Sequence, residues 1–71
     1  MSNLAEALLA AIKNVREVQS QFKELRGLRN VIVEPQISMM EMQINEAVEA
    51  LASGDVVRML RAYEAIKDYK S

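Results

Sequence analysis

From Leu4 the apolar residues fall at Leu4, Leu8, Ala11, Val15, Val18, Phe22 and Leu25, spaced 4, 3, 4, 3, 4, 3. An unbroken run of this kind is the seam of an α-helix about six turns long and is incompatible with a strand, whose faces alternate every second residue. Asn3 or Ser2 is placed to cap its start, and with Asn3 as cap Glu6 takes the third helical position, where a capping box puts its acidic partner. The spacing predicts a helix over residues 3–26. Ala5, Ala7, Leu9, Ala10 and Ile12 surround the seam in the first half, whereas Arg16, Glu17, Gln19, Gln21, Lys23 and Glu24 leave only a stripe in the second. A helix apolar nearly all round needs cover on more than one side.

Gly27 suits a C-cap, and residues 27–35 read as a connector whose Val31, Ile32 and Val33, lying just before the Glu34–Pro35 step, favour extended backbone. Pro35 stands at the start of a second helix over residues 36–53. There Ile37, Met40, Ile44, Ala47 or Val48, and Leu51 keep helical spacing. In "ASGD", Gly54 fits a left-handed C-terminal cap and Asp55 the N-cap of a third helix over residues 55–70, with Val56, Met59 or Leu60, Tyr63 and Ile66 inward. One continuous helix through Gly54 is the rival reading, at a cost of about 1 kcal/mol relative to alanine. The coincidence of caps on both sides favours the break.

The expected fold is therefore all-α, a single domain over residues 1–71 with one long N-terminal helix and a shorter helical hairpin. At 71 residues with no cysteine and no histidine, neither disulfides nor the usual zinc ligands are available to stabilise so small a core. Regular helix packing and homo-oligomerisation, a dimer in the simplest case, are what is left.

The function classes narrow in the same way. Glu41, Glu46 and Glu49 lie on one helix, but bundle di-metal sites add histidine to their glutamates, and a solvated face is the simpler reading. No nucleophile with a base, phosphate-binding loop or cofactor motif is present, so the chain is expected to be non-enzymatic, without metal or cofactor. With 9 Lys and Arg against 10 Asp and Glu, nucleic acid is disfavoured as a partner. Its best case is a helix-turn-helix arrangement of Ala50 and Gly54 with Arg58 and Arg61 on the following helix, weakened by Glu49 and Asp55 at positions that are usually apolar. No apolar run reaches the ~20 residues of a membrane span, and the N-terminus lacks the positive start of a signal peptide. The expectation is a cytoplasmic protein that does not engage membranes.

Between Ser38 and Gln43 stand three methionines, Met39, Met40 and Met42. If Met40 faces the core, Met39 points about 100° away and Met42 about 200° away, so they cannot share one interior. The surplus suits adaptable protein contacts. A protein-protein interaction module follows as the leading function, an adaptor, regulator, inhibitor or assembly factor. Its expected anchors for self-association or a protein partner are Leu8, Leu9, Ile12, Val15 and Phe22 on one side, and Val31, Ile32, Val33, Met39 and Met42 on another. A dimeric DNA-binding regulator using Arg58 and Arg61 is the alternative.

The segment "VEPQISMMEMQI" also resembles the stretch that follows the hairpin loop in type III secretion needle subunits, short cysteine-free helical hairpins with a proline in the loop. The resemblance covers about a dozen residues, and the following stretch with "ASGD" and two arginines departs from that pattern. What it implies is a subunit or chaperone of a helical assembly.

Overall fold

The computed structural model describes residues 3–28 and 32–69. They form three helices, α1 Leu4–Leu25, α2 Glu34–Ser53 and α3 Val56–Ile66, with no strand among the described residues. Each helix packs against both others. α1 and α2 run antiparallel over 22 and 20 residues, roughly 30 Å each, whereas α3 has 11 residues and about half that length. The shape is accordingly elongated, 43 × 21 × 15 Å.

The helix ends are set by local chemistry. Asn3 Oδ1 accepts from the Glu6 amide at 2.8 Å, the expected N-cap. The chain breaks at Gly54, whose φ of 70° lies in the left-handed region and whose N–H reaches Ala50 O and Leu51 O. Asp55 then caps α3 by accepting from the amides of Val57 and Arg58, at 3.0 and 3.3 Å. Asp55→Ala is expected to lower stability by about 1 kcal/mol in a denaturant titration, with the helix register unchanged.

The connector differs from its expectation. Gly27 is not the left-handed cap; α1 ends at Arg26 in ordinary helical geometry, its N–H bonded to Lys23 O. Val33 is not extended either (φ −117°, ψ −7°), and α2 starts at Glu34, one step before Pro35. Proline costs nothing there because the first helical N–H groups have no partner to lose. Glu34 also bridges back to Arg26, which donates from both Nε and Nη2. Both side chains are exposed, so this ion pair adds little stability. Val31 lies outside the described residues.

The core is built from Leu8, Ile12, Val15 and Val18 of α1, Met40, Ile44, Ala47 and Ala50 of α2, and Met59, Ala62 and Ile66 of α3. Val33 and Ile37 are also buried, near the start of α2. Where two inward candidates stood open, Ala47 and Met59 are inside while Val48 and Leu60 are exposed. Four expectations shift. Ile12 joins the core because two helices pack over the first half of α1, and Leu25 is 40% exposed because α3 ends before reaching that turn. Val56, expected inward, is 65% exposed in the first turn of α3. α3 ends at Ile66 rather than near residue 70, and Lys67 to Tyr69 follow as turn and tail.

Gln19, read in sequence as part of the polar face, is buried. Its Nε2 donates to Ile37 O at 3.3 Å and to Glu41 Oε2 at 2.8 Å, which offsets the desolvation of the amide. Among the described residues no buried side-chain nitrogen or oxygen lacks a partner. This pair fixes how α1 and α2 slide past one another, since a one-turn slip would strand the amide.

A candidate helix-docking surface

The tail after α3 marks where the third helix stops. Asn14 Nδ2 on α1 donates to the carbonyl of Tyr69, and the Tyr69 hydroxyl donates to Gln43 Oε1 on α2 at 2.6 Å. Both bonds are partly shielded from water, so Tyr69→Phe is expected to cost about 1 kcal/mol by thermal unfolding while leaving the fold intact.

Asn14 and Gln43 also identify the flanks of α1 and α2 that face the α3 side. Following α1 toward its C-terminus in steps of 4, 3 and 4, the same flank continues through Val18, Gln21 and Leu25. Following α2 back toward its start in the same steps gives Met39, Gln36 and Ile32, the last just ahead of the helix. The two rows alternate amide and apolar side chains and contain no charge. Val18 forms the buried floor, while Gln21, Leu25, Ile32, Gln36 and Met39 are exposed. Among the described residues no third helix covers them. Leu28, also exposed, lies at the same end.

The residues expected to form partner surfaces are thereby divided. Leu8, Ile12 and Val15 are taken into the chain's own three-helix core, because two neighbours rather than one pack on the first half of α1, and Val33 is buried as well. Phe22 is half-buried against that core. Met39 and Met42 are each 54% exposed, one turn apart on α2, and Ile32 is 81% exposed just before it. Leu9 is exposed too, but it sits in the second turn of α1, toward the opposite end of the bundle. The structure therefore gathers Ile32 and Met39 with Leu25 at one end and leaves Leu9 apart. The sequence does not reveal Gln21, Gln36 and Leu25 as members of this surface: Leu25 continues the core seam of α1, and the glutamines become legible only once Asn14 and Gln43 are known to face α3.

Arg58 and Arg61, proposed for DNA, line an open cleft of about 370 Å³ between α2 and α3 together with Glu46, Glu49, Ala50 and Ala62. Arg58 pairs with Glu49 at 3.6 Å. The two carboxylates share this cleft with the arginines and offset the positive potential that a phosphate backbone would need. On α3, Glu64 lies 2.7 Å from Lys67, and that hydrogen bond and charge hold the Lys67 ammonium above the ordinary lysine value. Among the described residues no helix is long and apolar enough to cross a membrane, and no group of three or more carboxylates is placed to hold a metal ion.

Comparison with protein-family models, curated proteins and solved structures finds no match for this chain.

Proposed function

We propose that this chain is a non-catalytic interaction module that works by helix packing, with the uncovered flanks of α1 and α2 beyond α3 as its docking surface. The observation that supports this most is the alternation of exposed apolar and amide side chains, without charge, on both helices where the third helix stops short. A helix laid there completes the bundle, its apolar residues meeting Leu25, Ile32 and Met39 and its polar groups meeting Gln21 and Gln36.

Burying a large apolar side chain fully contributes about 1.5–3 kcal/mol, and these are already partly covered. Their sum is comparable with the cost of association, about 4–15 kcal/mol. The complex is therefore of moderate affinity and forms according to concentration, as suits an adaptor, regulator or assembly factor. Met39 adds a flexible thioether that adapts to differently shaped partners.

The test is comparative capture from the source cells with wild-type chain and with a Leu25→Glu/Met39→Glu variant. Both substituted side chains are exposed, so folding should survive within about 0.5 kcal/mol per site. Polypeptides retained by wild type and lost with the variant support the reading. Equal capture by both contradicts it.

A further inference from the structure

Resting on that reading, we propose that the occupant of the docking surface is a second copy of the same chain, packed across a two-fold axis that passes between the two sets of rows. The chain exposes 5056 Å². A compact monomer of its 8.0 kDa exposes about 4,450 Å² by the usual scaling of surface with mass. The elongated shape accounts for this excess of about 600 Å², and packing two copies side by side would remove part of it; about 600 Å² from each chain is what the smallest specific and stable interfaces bury.

The chemistry of the rows selects a copy of itself. An isologous interface sets the same patch against itself, so any residue near the axis meets its own kind. A lysine or glutamate there would repel its twin. Glutamine does not, because its amide carries both donors and acceptors and can bond to another glutamine. The net charge of −1 leaves two copies free to approach without appreciable long-range repulsion.

The geometry is compatible with such pairing. α3 covers about half the length of α1 and α2, so two chains joined through their bare halves place their own third helices at opposite ends. Each chain's pair of bare helix ends supplies the other's missing cover, giving a central four-helix section. Tyr69 closes each α3 at the edge of that section, where it is bonded to Asn14 and Gln43.

Because the chain has no cysteine, single cysteines report contacts directly. The experiment makes Gln21→Cys, Gln36→Cys and Met39→Cys, with Leu9→Cys and Val57→Cys as exposed controls elsewhere. Each is checked for helicity by circular dichroism and then oxidised over a range of concentrations, alongside sedimentation of the unmodified chain. At least one row cysteine is expected to form disulfide-linked dimers roughly tenfold faster than either control, and the unmodified chain to sediment as a dimer at high concentration. Faster linking through Leu9 or Val57, or equal rates at every position, overturns the proposed two-fold. A chain that stays monomeric to millimolar concentration overturns the second copy as occupant. If capture that depends on Leu25 and Met39 persists in that case, the docking surface stands with a foreign helix on it; if capture is also lost, both readings fail.

Discussion

Leu8→Asp is expected to unfold the chain, while Leu9→Asp, one residue along, leaves it folded. Leu8 is 0% exposed and Leu9 57%. A carboxylate at Leu8 would be buried among Ile12, Val15 and their neighbours on α2 and α3, with no cation inside the cluster to pair with. The cost is several kcal/mol, comparable with the whole stability of so small a domain. At Leu9 the new charge meets water in the second turn of α1 and changes stability by no more than about 0.5 kcal/mol. Circular dichroism and urea titration of the pair check this. A folded Leu8→Asp chain would show that the rotational phase of α1 is other than described.

Ile44→Ala is expected to cost about 2–5 kcal/mol. Ile44 is 0% exposed at the middle of α2, among the largest fully buried side chains. Because each helix packs against both others, the void left there cannot close by moving one helix without opening a gap against the other. Phe22→Ala should cost less than Ile44→Ala despite the larger side chain removed, since Phe22 is half-buried at the edge of the core. The order of the two midpoints in urea, at unchanged slope, is the measurement. A Phe22 variant as damaging as the Ile44 variant would mean that α1 is covered further along its length than α3 reaches.

Much of the fold was readable from spacing and caps. The seam of α1, the inward row of Ile37, Met40 and Ile44, and the stop at Gly54 followed by the Asp55 cap all rest on local chemistry, and local chemistry decides helix boundaries when nothing opposes it. The outward direction of Met39 and Met42 followed from helical geometry once Met40 was placed inside. What failed depended on neighbours. Leu25 satisfied the seam but has no helix beside it, because α3 ends at Ile66. Gln19 looked solvated, and only the approach of Ile37 O and Glu41 makes a buried amide tolerable there. Val56 fitted the periodicity of α3 yet sits in its exposed first turn.

The docking surface illustrates the same limit. Its apolar members were visible as a surplus of large side chains, but their grouping was not. Leu8, Ile12 and Val15 looked as available as Leu9 until two helices packed over them. The glutamines carried no signal at all, since a glutamine on a helix is most often solvated. Only the bonds of Tyr69 to Asn14 and Gln43 show which flanks continue past the end of α3.

The most direct test of the central claim is molar mass by light scattering across a wide concentration range, for the wild-type chain and for Leu25→Glu/Met39→Glu, with melting temperatures on the same samples. The expected result is a wild-type mass that rises from 8.0 kDa toward twice that value, with a melting temperature that rises alongside it. The variant should stay at the monomer mass with a concentration-independent melt and full helicity. A variant that associates as strongly as wild type would place the contact elsewhere on the molecule and contradict the claim.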